Sequence, residues 1–221
     1  KAGIVVNELA AQAQILDNIV TGHGPTDVIG QNGIQIGYGA IATIDGNDVS
    51  GNDYTGAGWS AAGILLVGVD DVAIIDNNIH ENQQGITVGF DTTWGYGGST
   101  GTLVTFNTIV DNGSGIVVDD AADTGLVMHH NRLFGNTTGL DATLAAAAAE
   151  NNWWGCNAGP NDVAGDCDTI TGTGVVDADP WLVLSADFAP LSLPVGGTGL
   201  LDADLIFNSA AADTSVDGFV P

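Results

Sequence analysis

Four aspartates are the residues of this 221-residue chain whose types and spacing could most readily form a chemical site. They follow the successive Gly-Ile segments that begin at Gly85 and Gly115. Clustered carboxylate oxygens are ligands that suit Ca²⁺. The set comprises Asp91, Asp119, Asp120 and Asp123. Ca²⁺ is therefore the one cofactor that the sequence suggests, although the chain has no complete Ca²⁺-binding loop motif, and a dispersed acidic surface is the alternative.

Aromatic residues occur in two long segments rich in turn-forming residues. Tyr54 and Trp59 belong to the first segment, and Trp94 and Tyr96 belong to the second, which runs from residue 89 to residue 101. Flat aromatic faces can bind sugar rings, so these four side chains are candidates for glycan binding. The alternative is that the rings only pack on the protein and anchor their own loops, because aromatic side chains bury large apolar areas.

The charged composition excludes several kinds of partner. Only 2 Lys and Arg residues accompany 27 Asp and Glu residues, which gives a formal charge of -25 at pH 7. Such a chain cannot neutralise phosphate groups, so nucleic acid and anionic membrane surfaces are excluded. We expect no membrane insertion, since no apolar run approaches the roughly 20 residues of a membrane helix. A hydrophobic content of 44% predicts a folded protein.

Two short motifs alternate along the chain. The first places an Asn between apolar residues, as in Ile74-Ile-Asp-Asn77-Asn-Ile79, and the second is Gly-Ile, as in Gly63-Ile-Leu-Leu66. The Asn positions of the first motif are Asn18, Asn47, Asn77, Asn107, Asn131 and Asn151. They are separated by 20 to 30 residues that contain period-two runs of Ile and Val and no helix-length pattern. The spacing predicts strands joined by corners, with insertions at the corners.

Stacking of these units explains both motifs. A single unit cannot bury its inward Ile and Val side chains, but units stacked about 4.8 Å apart form parallel sheets around a continuous core. The Asn side chains of one corner can then hydrogen-bond along the stack. An antiparallel sandwich also contains many short strands, but it does not explain an Asn in every unit. We therefore predict an all-β fold, a parallel β-helix solenoid.

The alternation of side chains along the Gly-Ile strands predicts their outer face. If the Ile of each motif points into the core, the residue after it points outward. The outward row comprises Val5, Gln35, Leu65, Thr87, Val117 and Asp141. Loops at both ends of these strands could turn this face into a groove. A glycosidase needs two carboxyl groups roughly 5 to 9.5 Å apart, and this row contains one carboxylate, which argues against catalysis there.

The motif series resembles the right-handed parallel β-helix repeat proteins of the pectin-lyase-like superfamily. The segment from Glu150 to Pro160, Glu-Asn-Asn-Trp-Trp-Gly-Cys-Asn-Ala-Gly-Pro, resembles the closing coil of extracellular members. The resemblance implies a right-handed solenoid of about six to seven coils over residues 1–182. Residues 183–221 resemble the start of a bacterial Ig-like module, which implies a short C-terminal β extension that is either part of such a module or a tail that donates a strand.

The chain has 2 cysteines, Cys156 and Cys167, in a segment rich in loop-forming residues. A disulfide is the favoured interpretation over a metal site. Closing such a loop contributes roughly 3 kcal/mol to stability. A disulfide implies an oxidising compartment, so we expect an extracellular or cell-surface location.

The resemblance also implies two enzymatic chemistries to be tested against the sequence. Pectate lyases need a basic residue and Ca²⁺, and the bases here are Lys1 and Arg132, of which alternation directs Arg132 to solvent. In polygalacturonases an Asp pair precedes a Gly-His-Gly motif, whereas here His23 precedes Asp119-Asp120 by about four coils. His23 aligns instead with a corner position that holds Asn52, Asn82, Asn112 and Asn136 in later units. No catalytic residue is predicted; an enzymatic role would be polysaccharide hydrolysis rather than lyase chemistry.

These observations favour a non-enzymatic extracellular structural or adhesin-like protein. We expect an incomplete coil at the first residues and strands without a sheet in the last 40 or so, an arrangement that suits head-to-tail self-association into filaments. Other surface proteins are alternative partners. The second hypothesis is a carbohydrate-binding or polysaccharide-cleaving β-helix that uses the aromatic loops and the Asp cluster.

Overall fold

A computed structural model describes residues 1–89, 97–162, 164 and 166–215. Within these residues three parallel sheets surround one core, and a separate two-stranded antiparallel sheet follows them. The predicted all-β solenoid with a short C-terminal extension is confirmed. No helix in the described part of the chain is long and apolar enough to cross a membrane.

The strands are short and follow one another around the coils. In chain order they are β1 (Ala2–Asn7), β2 (Gln12–Leu16), β3 (Ile19–Thr26), β4 (Asn32–Gly37), β5 (Ile41–Asp45), β6 (Asp48–Tyr54), β7 (Ala62–Val67), β8 (Ala73–Ile75), β9 (Asn78–His80), β10 (Gln84–Gly89), β11 (Leu103–Thr105), β12 (Thr108–Val110), β13 (Ser114–Val118), β14 (Leu126–His129), β15 (Arg132–Phe134), β16 (Thr138–Ala142), β17 (Ala147–Ala148), β18 (Ile170–Thr171), β19 (Val176–Asp177), β20 (Leu182–Ala189) and β21 (Leu200–Asn208).

Each of the first five coils contributes one strand to each of three sheets, and the strands that follow β15 in the solenoid join only the first two sheets. The first sheet has the order β1-β4-β7-β10-β13-β16-β18, the second has the order β2-β5-β8-β11-β14-β17-β19, and the third has the order β3-β6-β9-β12-β15. Every pairing within these sheets is parallel. The chain thus completes about six coils, in agreement with the prediction.

The inward side chains of the first sheet form a continuous apolar column. Parallel register aligns Ile34, Ile64, Ile86 and Ile116, and all four are 0% exposed. The residues after them lie in register on the outer face, as predicted. On that face Thr87 is only 7% exposed, so the sheet is partly covered there.

Asn side chains line the corner between the second and third sheets. In each rung the backbone N and the Nδ2 of one Asn both donate to the Oδ1 of the Asn in the next coil, at distances of 2.8 to 3.0 Å. We call this row the ladder corner; its members are Asn18, Asn47, Asn77, Asn107, Asn131 and Asn152.

The last position of the ladder corrects the sequence prediction, which placed Asn151 there. Asn131 donates to Asn152, whose side chain is 0% exposed. Asn151 has a φ of 55° and occupies the left-handed position that Asp76 and His130 hold before earlier ladder residues. Asn tolerates this conformation, so the Asn-Asn doublet fits both positions and only the backbone distinguishes them.

A second row of hydrogen-bonded side chains lines the corner between the third and first sheets. It runs from Asn52 through Asn82, Asn112 and Asn136 to Asp168, which accepts from the N and Nδ2 of Asn136 at 3.1 and 2.6 Å.

His23 does not belong to this row, contrary to the sequence alignment of the coils. A register shift between Thr21 and Gly24 places Gly24 opposite Asn52. His23 is exposed, and its backbone N donates to Gln31 Oε1 at 2.9 Å. The first coil carries one extra residue at this corner, which is why the motif spacing misplaced His23.

The C-terminal end of the solenoid is closed. Trp154 is 0% exposed, and a disulfide joins Cys156 to Cys167 beside it. Strands β20 and β21 form a hairpin whose Leu182 and Leu205 pack against Phe106 and Trp153. The extension therefore lies against the closing coil through a small apolar cluster.

Candidate functional site

A groove of about 1190 Å³ lies on the outer face of the first sheet. Its floor includes Gln35, Leu65 and Thr87, which are adjacent members of the outward row. The residues on one flank come from two segments, 27–31 and 55–61, that connect the third sheet to the first in successive coils. We call these two segments the groove wall.

Uncharged polar side chains dominate the polar part of the floor. Asn32 Nδ2 lies 3.4 Å from Gln35 Oε1, and Thr87 Oγ1 donates to Gln84 Oε1 at 2.8 Å. Neither Gln35 Nε2 nor Gln84 Nε2 donates a hydrogen bond to another described residue. Both amide groups therefore have donor capacity left for a ligand.

Aromatic side chains border this floor. Trp59 is 79% exposed, and Tyr54 and Tyr38 also line the groove. Tyr54 lies directly over Gly56, where an added Cβ would meet the Tyr54 hydroxyl and ring. The glycine thus lets the ring lie against its own loop. Of the four aromatic candidates, Tyr54 and Trp59 are in the groove lining, and Trp94 and Tyr96 lie outside the described residues.

Charged groups are scarce in the groove. Among its described lining residues, Lys1 is the one cation and Asp119 is the one carboxylate. They belong to the first and fifth coils, which at about 4.8 Å per coil lie roughly 19 Å apart along the axis. Arg132 lies on the third sheet, where its Nε donates to Thr108 Oγ1 at 3.2 Å.

The Asp cluster is only partly brought together. Asp123 is 2% exposed, and its Oδ1 accepts from the backbone N of Ser99 at 2.7 Å. Asp120 Oδ1 accepts from Ala122 N at 2.8 Å, which is a local turn contact. Asp119 is exposed and lines the groove, and Asp91 lies outside the described residues.

These positions give the aspartates separate structural roles. Within the described ranges, no three His, Cys, Asp or Glu side chains converge in a way that could hold a metal ion. Burial, with a smaller effect of the nearby charges of Asp119 and Asp120, raises the pKa of Asp123 to about 6 against the lowering effect of the hydrogen bond from Ser99 N. Ser99 in turn accepts from Val69 N at 3.4 Å, so Asp123 ends a short hydrogen-bonded row at this corner.

Two His-carboxylate pairs lie outside the groove. His129 Nε2 is 3.1 Å from Glu150 Oε2 on the second sheet, and His80 Nε2 is 3.3 Å from Asp48 Oδ1 on the third sheet. The sequence motifs do not reveal these pairs, because each pair joins side chains of neighbouring coils that are 21 or 32 residues apart in the chain. His80 has a second carboxylate beside it, because its Nδ1 lies 3.4 Å from Glu81 Oε2.

Several groove residues lie outside the outward row that the sequence predicts. Asn32, Gln84 and Tyr38 line the groove. The predicted floor was the whole outward row, of which Gln35, Leu65 and Thr87 line the groove and Val5, Val117 and Asp141 do not. Asn32 and Gln84 begin β4 and β10, three residues before Gln35 and Thr87 of the predicted row. Strict alternation back from Gln35 and Thr87 gives Gly33 and Gly85 as the next outward positions, so the strand pattern alone does not find Asn32 and Gln84.

Comparisons with known proteins identify the fold family. A family model described as the right-handed beta helix region matches residues 1–153. Among solved structures, the periplasmic alginate epimerase AlgG is similar, with a TM-score of 0.50 and 20% sequence identity. The alignment covers 80% of this chain and 44% of that one, so this chain spans less than half the length of the epimerase. At this identity the likeness shows a shared fold. A search of curated proteins finds no match.

Proposed function

We propose that this chain, which belongs to the right-handed β-helix family, is an extracellular non-enzymatic protein that binds carbohydrate in the groove of its first sheet. The observation that carries the proposal is the exposed Trp59 ring beside a floor of amide side chains. The disulfide between Cys156 and Cys167 supports the extracellular location.

The chemistry of the lining matches the two surfaces of a sugar. The C–H face of a sugar ring is apolar and packs on an aromatic ring, as Trp59 and Tyr54 allow. Sugar hydroxyls both donate and accept hydrogen bonds, and so do the amides of Asn32, Gln35 and Gln84. A concave site that combines apolar surface with a few polar groups is typical of ligand binding.

The same lining supports a binding role over catalysis. Hydrolysis of a glycosidic bond uses two carboxyl groups roughly 5 to 9.5 Å apart, and Asp119 is the one carboxylate among the described groove residues. Lyase chemistry needs a base next to the substrate, and Lys1 lies at the end of the groove that is farthest from Asp119.

Self-association is a second candidate function, and the hairpin favours it. Phe188 and Leu201 form a directly opposed pair on one face of the hairpin and are 40% and 66% exposed. Exposed apolar residues on a narrow two-stranded sheet are a surface on which another chain can pack. Stacking of coils onto the C-terminal end is disfavoured, because Trp154 and the disulfide loop close that end.

Affinity electrophoresis against a panel of soluble glycans, alginate included, tests the proposal. We expect retardation of the wild-type protein by at least one glycan, and a loss of affinity of about tenfold in Trp59→Ala. Phe188→Ala is the matched control, because it removes an exposed aromatic ring from the hairpin and should leave glycan affinity unchanged.

Two further results would contradict the proposal. An unchanged glycan affinity in Trp59→Ala would show that the glycan does not bind in the groove. Release of new reducing ends or unsaturated products from a bound glycan would show an enzyme instead of a binding protein.

Filaments in negative-stain electron micrographs that disappear in Phe188→Ala would establish self-association, the second candidate function.

A further inference from the structure

We infer that the groove selects uncharged, hydroxyl-rich glycans and rejects polyuronates. The inference rests on the proposed carbohydrate binding and adds the chemical class of the ligand. It is carried by the distribution of charge in the molecule and by the hydrogen-bonding groups of the groove floor.

The floor offers hydrogen bonds without charge. Asn32, Gln35, Gln84 and Thr87 supply the polar groups at the strand positions that face the groove. An amide binds a neutral hydroxyl at little desolvation cost, because both partners exchange one hydrogen bond with water for one with each other. A carboxylate placed over these groups would lose hydration without gaining a counter-charge.

Recognition of a uronate carboxylate normally uses Arg or Lys. Arg forms bidentate pairs with carboxylates, and Lys provides a point charge. The whole chain has 2 such residues. Arg132 is on the third sheet, away from the groove, and Lys1 reaches only one end of it. A polyuronate carries a charge on every sugar, so most of its carboxylates would face the groove unpaired.

The net charge of the protein acts in the same direction. A formal charge of -25 gives a negative potential around the molecule, which lowers the local concentration of polyanions and slows their association. Asp119 adds a carboxylate at the groove itself. Binding of a neutral glycan involves no such repulsion, so its affinity should be almost independent of salt.

Isothermal titration of the wild-type protein distinguishes the two ligand classes. The neutral probes are xyloglucan, galactomannan and hydroxyethyl cellulose, the anionic probe is polygalacturonate, and the cationic probe is chitosan. We expect at least one neutral probe to bind with an affinity that changes less than about twofold between 0.02 and 0.5 M NaCl. We expect polygalacturonate to bind at least about tenfold more weakly than that probe.

Charge-introducing variants make the test specific to the groove. Gln35→Lys and Gln84→Lys should weaken binding of the neutral probe and strengthen polygalacturonate binding at least about threefold at low salt. Leu103→Lys is the matched control: it adds the same charge at a half-exposed position of the second sheet and should change neither affinity.

Each contrary result has a separate meaning. Tighter binding of polygalacturonate than of every neutral probe would overturn the inference and leave the proposed carbohydrate binding intact. Binding of chitosan alone, abolished by 0.5 M NaCl, would also overturn it, because net charge and not the floor would then select the ligand. Absence of binding to every probe would overturn both the inference and the proposed function.

Discussion

The ladder corner and the groove wall both connect strands of the same solenoid, yet one repeats buried hydrogen bonds and the other presents exposed side chains that differ from coil to coil. In the ladder corner each coil repeats one buried Asn with the same hydrogen bonds. In the groove wall, segments 27–31 and 55–61 carry different residues, and Trp59 is 79% exposed. The repeated corner therefore supplies buried hydrogen bonds that stabilise the fold, and the corner that varies supplies the proposed ligand contacts. Changes to the two regions should separate loss of folding from loss of binding.

Breaking the ladder corner should give the largest effect. Asn77→Ala removes a side chain whose Nδ2 donates to Ile44 O, Ile75 O and Asn107 Oδ1, and whose Oδ1 accepts from Asn47. Because the remaining partners are buried and lose their hydrogen bonds, we expect the free energy of unfolding to fall by about 3 to 5 kcal/mol. Urea denaturation followed by circular dichroism measures this loss.

The next residue in the chain supplies the control for this prediction. Asn78 is exposed, and its Nδ2 donates to Asp48 Oδ2 at 2.9 Å. Asn78→Ala should change the free energy of unfolding by no more than about 0.5 kcal/mol. Equal losses of unfolding free energy in the two variants would show that a buried ladder Asn stabilises the fold no more than an exposed Asn does.

Removal of the disulfide should have the second largest effect. The bond between Cys156 and Cys167 closes a loop with a sequence separation of 11 beside Trp154. Replacing both cysteines with Ser should lower the free energy of unfolding by roughly 3 kcal/mol, because the unfolded chain becomes freer. A reducing agent should destabilise the wild-type protein by a similar amount and leave the double variant unaffected; a destabilised double variant that still responds to it would contradict this explanation.

Acidification should stabilise the end of the second hydrogen-bonded row. Burial raises the pKa of Asp168 from 3.8 to about 6, against the lowering effect of the bonds from Asn136. The folded state then binds more protons than the unfolded state between pH 6 and 4, so this residue's contribution to stability increases as the pH falls through that window. Above pH 6 the charged and buried carboxylate destabilises the fold.

Asp168→Asn isolates this contribution. We expect the variant to be more stable than the wild type at pH 7, by on the order of 1 to 3 kcal/mol, and the difference to disappear near pH 4. Thermal unfolding measured at pH values from 4 to 7 tests it. Asp166→Asn removes an exposed carboxylate two residues away whose charge is the smallest of the causes that raise this pKa, so it should reduce the pH dependence only slightly. A destabilised Asp168→Asn protein at pH 7 would refute the assigned cause.

The groove wall should give the smallest effect on folding. Trp59→Ala removes a ring that is 79% exposed, so the free energy of unfolding should change by less than about 0.5 kcal/mol. Urea denaturation under the same conditions as for Asn77→Ala sharpens the comparison between the two regions. A loss above about 2 kcal/mol would show that the ring is structural and would weaken the proposed binding role.

Much of the fold could be predicted from the sequence, because each coil repeats the same requirement. Ile34, Ile64 and Ile86 had to face the core, and the Asn motif had to form a row. The prediction failed by one residue at Asn151, where two neighbouring amides satisfy the same pattern. It also failed at His23, where a register shift in the first coil breaks the spacing.

The candidate site was less predictable, since its parts come from different coils. The sequence placed Asp123 in a candidate Ca²⁺ cluster, whereas the backbone N of Ser99 from the preceding coil donates to it in a buried corner. It identified Tyr54 and Trp59 as ligand candidates but not Asn32 or Gln84, whose role in the groove depends on which loops flank them.

By itself the sequence determined the stacked coils, the ladder corner, the acidic surface and the position of the disulfide, because local alternation and a repeated buried polar residue permit few other arrangements. Only the tertiary structure decided the groove. Its floor and wall come from strands and corners about 20 to 30 residues apart in the chain, as the ladder spacing shows. Parallel stacking places equivalent residues of adjacent coils about 4.8 Å apart. The lengths of the insertions at each corner then determine which side chains come into contact.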